Sequence, residues 1–582
     1  MIDENKIAYF AETDYRNKKQ KFGIKAKDRN KHVYIIGKTG MGKSTLLENL
    51  AIQDIQNGEG IAFIDPHGKS ADLLLDHVPA SRINDVLYFA PFDMSHPVSF
   101  NIMEDVGYDK RHFVVSGLLS AFKKIWVDAW SARMEYILSN TLLALLEYPG
   151  STLLGVNRMY SDKAFRRKVV ENITDPIVKS FWTEEFATYT DRYTQEATPA
   201  IQNKVGQFTS NPLIRNIIGQ PHSSFDLRQM IDSKKIIIVN LSKGRIGEIN
   251  ANLLGSMFIT KLYIAAMSRA DVSDDALRYL PNFYLYVDEF QSFANESFAD
   301  ILSEARKYKL SLTIAHQYIE QMSDEVRAAV FGNVGTMVAF RVGAYDAEIL
   351  EKEFAPHFTQ EDLVNLGFAQ VYLRLMIDGV GSQPFSARTI SPIRSHDGSR
   401  KDEVVEASRR SYARYREVVE RDILDWHGKG NSEKEPDANK DIHAVPKEPS
   451  PRNDFQRKRK DKKNERNGRE ENSTHPEHNK HIRPISLSAL KDKHQPSQEH
   501  RGELRKALAE AMRGQENPVA DEKKEINDSP AVKEIVTETP VLQKNLSVID
   551  KKPVTKEIAH NETITEIPED ELRKMLEVER GS

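Results

Sequence analysis

Gly37-Lys38-Thr39-Gly40-Met41-Gly42-Lys43-Ser44 have the types and spacing to hold a polyphosphate. Phosphate oxygens need inward-pointing backbone N–H groups. Glycines let the chain turn with positive φ and come close, and the N-terminus of a following helix adds the positive end of its dipole. Lys43 would reach the β- and γ-phosphates, and Ser44 would ligate Mg²⁺. Thr45 completes the segment in contact with the nucleotide, ATP. The flanks match this chemistry. Val33-Tyr34-Ile35-Ile36 reads as a buried strand, and Thr45-Leu46-Leu47-Glu48-Asn49-Leu50-Ala51 as the start of a helix.

A phosphate loop hydrolyses nothing without an acidic partner. The run 283–289, Phe-Tyr-Leu-Tyr-Val-Asp-Glu, reads as an apolar strand that ends in Asp288 and Glu289. Asp288 would hold Mg²⁺ through its water shell, and Glu289 would orient the attacking water as general base. The next strand, 310–317, ends in Gln317, where an amide could hydrogen-bond the γ-phosphate. Ligands of open α/β sheets sit at the carboxyl ends of strands, which is where these residues fall. His316 should point to the opposite face and serve the structure. Asp65 and His67 leave another strand end and read either as nucleotide or neighbour contacts or as a local turn.

Lys43 and Asp288 stand 245 residues apart, more than a minimal nucleotide fold needs. Strand patterns at 61–65 and 86–90 stop, and resume at 235–241. Between them 106–231 is helical in pattern. The reading is an α/β sheet domain, 1–105 and 232–400, interrupted by an inserted all-α domain at 106–231. Strands 335–341 and 370–376 are expected to close the sheet. An amphipathic helix at 401–427, with Tyr415, Val418, Val419, Ile423 and Trp426 as its apolar side, is expected to pack on the folded part.

Composition divides the chain near residue 400. The last 182 residues hold 75 charged side chains, against 93 in the first 400. Too little apolar surface remains in 428–582 to offset the entropy of ordering it, so a long, mostly disordered tail is expected. Two islands, 500–514 and 568–579, share the words Glu-Leu-Arg-Lys-x-Leu. They read as docking helices for a partner or as chance similarity between charged segments. The Lys/Arg-rich run 452–469 could bind DNA phosphates or simply be solvated, and His475, His478 and His481 read as polar tail.

Other function classes fall away. The 582 residues contain no cysteine, which excludes disulfide frameworks, thiol catalysis and sulfur-ligated zinc. The net charge of -4 gives no global basic excess, so any DNA contact must be local. The start of the sequence has no apolar signal core, and no run reaches the ~18 apolar residues of a membrane span. A cytoplasmic protein without direct membrane insertion is expected, peripheral at a membrane only through a partner.

The ordered series of motifs resembles the HerA/FtsK superfamily of DNA-pumping ATPases, and within it the TraG/TraD-type coupling proteins of conjugative and type IV secretion systems. The series runs from the Gly37–Ser44 loop through Phe-Ile-Asp-Pro-His-Gly-Lys (63–69) and the block 85–101. It continues with Trp-Ser-Ala-Arg-Met-Glu-Tyr-Ile-Leu (130–138), Tyr-Val-Asp-Glu-Phe-Gln-Ser-Phe and Ala-His-Gln, so the resemblance covers about 20–395. It implies a RecA-like P-loop NTPase fold and a homo-oligomer, typically a hexameric ring with ATP sites between subunits. It also implies DNA as a sequence-independent partner of unspecified strandedness. An arginine from the neighbouring subunit would stabilise transition-state charge, with Arg306 the family match and Arg341 a second candidate. Family coupling proteins often carry N-terminal membrane helices, for which a phosphate loop at residue 37 leaves no room. The function expected is ATP-driven DNA translocation of the coupling-protein type. A cytosolic DNA-processing translocase, an ATP-dependent scaffold and a protein-secretion ATPase are the alternatives.

Overall fold

The computed structural model describes residues 3–14, 18–395 and 398–428, all within one compact unit. The expectations for the tail beyond 428, including 452–469, 500–514, 568–579 and the three histidines, lie outside the described residues.

The strands are β1 (Ile7–Glu12), β2 (Lys21–Lys25), β3 (Val33–Ile36), β4 (Gly60–Asp65), β5 (Val86–Phe89), β6 (Ile236–Asn240) and β7 (Phe283–Val287). β8 (Leu310–His316), β9 (Thr336–Ala339), β10 (Gln370–Arg374), a hairpin of β11 (Met376–Ile377) and β12 (Val380–Gly381), and β13 (Phe385–Thr389) follow. Eleven of them form one sheet, ordered β2-β1-β13-β10-β9-β3-β8-β7-β4-β6-β5. From β9 to β5 all neighbours are parallel, and from β9 to β2 they are antiparallel.

Sequence explains this division. The residues of β3, β4, β6, β7, β8 and β9 are buried throughout, as a parallel sheet covered on both faces requires. β10 and β13 alternate buried with more exposed positions, as half-covered antiparallel strands do. Side chains leave alternate faces of the parallel strands. Val33, Ile35, Ile61 and Phe63 join a core with Leu46, Leu47 and Leu50 of the helix Lys43–Gln56. Tyr34, Ile36, Ala62 and Ile64 join the opposite core, which runs on through the helices between β5 and β6.

That helical stretch begins with Tyr108–Lys110 and Arg111–Ile125 and ends with Leu227–Asp232. The helix Glu248–Met267 follows β6. Phe122, Leu138 and Phe258 pack in the same core as Tyr34, so helices and sheet face share one apolar interior.

Two expectations are corrected here. The sheet does not close at β10: β13, β1 and β2 extend it by three antiparallel strands. The helix expected over 401–427 is two helices, Lys401–Tyr412 and Arg416–Gly428. The backbone between them is held instead by the segment 95–98: Ala413 bridges Val98, and the Arg414 and Arg416 N–H groups donate to Pro97 and Ser95. Val419 and Ile423 are buried against Leu154, whereas Tyr415 is 67% exposed with its ring against His96.

Among the described residues no helix is long and apolar enough to cross a membrane.

Candidate nucleotide site

Register brings the site together. Ile36 of β3 pairs with His316 of β8, Val287 of β7 with Ile314, and Ile64 of β4 with Val287. The residues that leave these strands, Gly37, Gln317, Asp288 and Asp65, therefore emerge side by side at the carboxyl edge of the sheet.

The phosphate loop is pinned at its base. The Gly37 N–H donates to the His316 carbonyl at 3.3 Å, and Lys38 N–H to the Arg341 carbonyl at 2.8 Å. Gly37 has φ +156°, and a Cβ there would lie 2.5 Å from Phe340 Cβ, so only glycine fits. Gly42, with φ +120°, is the N-cap of Lys43–Gln56. The helix thus begins at Lys43 and Ser44, with its unpaired N–H groups facing the loop. Lys38, Thr39 and Gly40 are exposed at the loop's crest, and Met41 and Thr45 are partly covered.

Lys43 is buried. Its Nζ donates to the carbonyls of Gly37 at 2.6 Å and Lys38 at 3.1 Å, curling across the loop. Burial lowers its pKa, and Glu289 and Asp288 act in the opposite sense. The Ser44 hydroxyl donates to Asp288 Oδ2 at 3.0 Å, so the serine and carboxylate that would share Mg²⁺ already touch. Asp288 is buried, and burial first, then the neighbouring Glu289, pushes its carboxyl up to about 6. A carboxylate so short of compensating charge has the chemistry of a cation ligand.

Glu289 leaves β7 in the left-handed region, φ 49°. Its N–H donates to Asp288 Oδ1 at 3.0 Å. Two amides hold its carboxylate: Gln317 Nε2 donates to Oε1 and Gln291 Nε2 to Oε2. Gln317 also accepts from the Thr39 hydroxyl at 2.9 Å, which ties Glu289 to the phosphate loop through the amide. His67 Nε2 lies 3.9 Å from Glu289 Oε1, on a side chain about half exposed. Asp65 is used locally, accepting from the N–H groups of His67 at 2.8 Å and Ala71 at 2.9 Å.

His316 is buried with Nδ1 3.1 Å from the Tyr34 hydroxyl, on the face away from Gln317. Burial, aided by the positive charges of Lys124 and Lys43, lowers its pKa to about 3, so the ring is neutral.

The two arginines separate. Arg341 follows β9, and its own carbonyl carries the phosphate loop of the same chain. Arg306 lies exposed on the short helix Ala305–Tyr308, before β8. The full length of β8, roughly 20 Å at ~3.3 Å per residue, separates it from Gln317.

Gln291 and Lys124 were not singled out from sequence. Lys124 ends a helix before the acidic strand, yet its Nζ donates to the carbonyls of Gln291 and Ala294. Only the tertiary fold brings them together; Gln291, two residues after Glu289, was the one available hint.

Residues 14–262 match the family model described as "Helicase HerA, central domain". That segment contains the phosphate loop and stops before the acidic strand β7. No curated protein matches the sequence significantly. Among solved structures, the plasmid coupling protein TrwB in complex with ADP and Mg²⁺ is 13% identical. That match covers 65% of this chain and 90% of TrwB at a TM-score of 0.48. VirB4 of Thermoanaerobacter pseudethanolicus is also 13% identical, covering 66% of this chain and 96% of its own at 0.45. At such identities and scores, what the chain does is read from its own residues. Over residues 14–262, the segment that holds the phosphate loop, the chain is similar to the HerA central domain.

Proposed function

We propose that the chain is an ATP-driven DNA translocase of the conjugative, type IV secretion coupling type. It would work as a homo-oligomeric ring, with ATP bound at the Gly37–Thr45 loop and Mg²⁺ at Ser44 and Asp288. The observation that carries the nucleotide chemistry is the 3.0 Å contact between Ser44 and Asp288, with Glu289 next in the chain. The ordered motif series and the HerA model over 14–262 support the DNA-pumping part of the reading.

Each residue then has a task. Backbone N–H groups of the loop and the start of Lys43–Gln56 bind the phosphates. Lys43 exchanges its two carbonyl partners for phosphate oxygens, whose negative charge opposes the burial that lowers its pKa. Bound Mg²⁺ would supply charge neutralisation at the β- and γ-phosphate oxygens. Glu289 accepts the proton of the attacking water, and Gln317, linked to Thr39 and Glu289, reports the occupancy of the loop. Arg306, exposed and remote from its own loop, is suited to act on a neighbouring copy's site; Arg341 is the second candidate. We take 106–231 as the inserted helical domain of this motor.

The test is steady-state ATP hydrolysis by the full chain without nucleic acid, with single-stranded DNA and with duplex DNA, beside Lys43→Ala. Stimulation by one DNA form, lost in the variant, is expected. Lys43-dependent hydrolysis that ignores both DNA forms would overturn translocation and favour a protein cargo or a scaffold.

A further inference from the structure

Two amides hold the base Glu289, and they have different anchors. Gln317 is bonded to Thr39 of the phosphate loop, so its grip on Glu289 answers to nucleotide. Gln291 makes no such contact. Its side-chain amide donates to Glu289 Oε2, while its main-chain carbonyl accepts from Lys124 Nζ. Lys124 belongs to Arg111–Ile125, in the helical stretch between β5 and β6. The same ammonium takes the Ala294 carbonyl, and the neighbouring Lys123 pairs with Glu296 at 2.8 Å. The loop that follows the acidic pair is thus fastened to this helix at three points.

The geometry points to Gln291 and Lys124 as positioning residues that keep Glu289 at rest until the helical segment shifts. The inference rests on the reading of Glu289 as the base. Its physical ground is simple. An amide that donates to Glu289 Oε2 occupies an oxygen that a water would otherwise approach and fixes the orientation of the carboxylate. Gln291 therefore restrains the base, and Lys124 fixes Gln291 in reach. A displacement of Arg111–Ile125 draws the Gln291 carbonyl with it and releases Oε2. Lys124 suits this role because it is partly buried and its ammonium is held by two main-chain carbonyls; burial lowers its pKa to about 8. Partial burial strengthens these two bonds relative to those of a fully exposed lysine.

The experiment compares wild type, Gln291→Ala, Lys124→Met, Lys124→Arg and the Gln291→Ala/Lys124→Met double variant as full chains. Basal and DNA-stimulated ATP turnover, the KM for ATP and the melting temperature are read for each. Gln291→Ala should raise basal kcat about three- to tenfold, the scale of one weakened hydrogen bond to a carboxylate. Its KM should be unchanged and its stimulation ratio reduced. Lys124→Met should act in the same direction, the double variant should match Gln291→Ala, and Lys124→Arg should stay near wild type. If Gln291→Ala leaves basal kcat unchanged or lowers it at an unchanged melting temperature, the restraint is refuted and the ATPase reading stands. If Lys124→Met unfolds, Gln291→Ala still decides. Absence of Lys43-dependent hydrolysis in the wild type would overturn both readings.

Discussion

Asp288→Asn should make the empty protein more stable at about pH 8 while removing the carboxylate proposed to hold Mg²⁺. The Asp288 carboxyl is buried, and its pKa is raised from 3.8 to about 6. A displacement of about two pH units corresponds to ~3 kcal/mol at ~1.36 kcal/mol per unit. The sign follows from proton binding. The folded chain holds this proton more tightly than the unfolded chain, so stability from this group is full below about pH 4. It is lost as pH rises through about 6. Asparagine imitates the protonated form at every pH. Against this gain, Asp288 accepts from the Ser44 hydroxyl and the Glu289 N–H. Asparagine has one oxygen and loses one of the two bonds, which costs about 1 kcal/mol. The net expectation is ~1–2 kcal/mol in favour of the variant at about pH 8, with the difference vanishing or reversing near pH 4. Urea unfolding midpoints of both proteins at the two pH values, without nucleotide or metal, measure it. Equal differences at both pH values, or a less stable variant at about pH 8, would refute the argument that Asp288 is held charged against its surroundings.

Further expectations concern the loop, the core and the proposed assembly. Gly37→Ala places a methyl 2.5 Å from Phe340 Cβ at φ +156°. It should cost ~1–3 kcal/mol and abolish binding of a fluorescent ATP analogue, whereas tight binding by the variant would show that the loop base tolerates movement. Asp54 accepts two 2.8 Å bonds from buried Arg29 beneath the sheet and a third from Tyr286. Asp54→Asn should therefore destabilise by ~3–5 kcal/mol, because Arg29 remains buried and unpaired. A melting temperature equal to wild type would contradict that account. Arg306→Ala and Lys43→Ala, each inactive alone, should regain ATPase activity when mixed, since one supplies intact loops and the other intact arginines. Full activity of Arg306→Ala alone would exclude Arg306 as the residue acting across subunits.

What could be read from sequence follows from how each strand is covered. β3, β4, β6, β7 and β8 lie inside a parallel sheet, so their residues are mostly apolar, with Ser311 and Thr313 of β8 as small polar exceptions, and chemistry-bearing residues stand at their ends. β1, β2 and β13 were missed because they are half-covered and carry Glu12, Lys21, Lys25 and Arg388 among their apolar positions. Their role is visible only once β10 offers them an edge. The break at 413–415 was likewise hidden, since its cause is pairing with 95–98, distant in the chain. At the site, Lys43, Ser44, Asp288 and Glu289 stand out because phosphate and metal chemistry restrict residue type and spacing. Gln291 and Lys124 do not, because an amide or ammonium that acts on main-chain carbonyls or a neighbouring side chain imposes no spacing on the sequence.

The most direct test is the turnover of Glu289→Gln. Glutamine keeps the shape beside Gln291 and Gln317 but cannot take a proton from water. The variant should bind ATP and Mg²⁺ as tightly as wild type and hydrolyse at least ~100-fold more slowly. Normal hydrolysis by Glu289→Gln would contradict the assignment of the base.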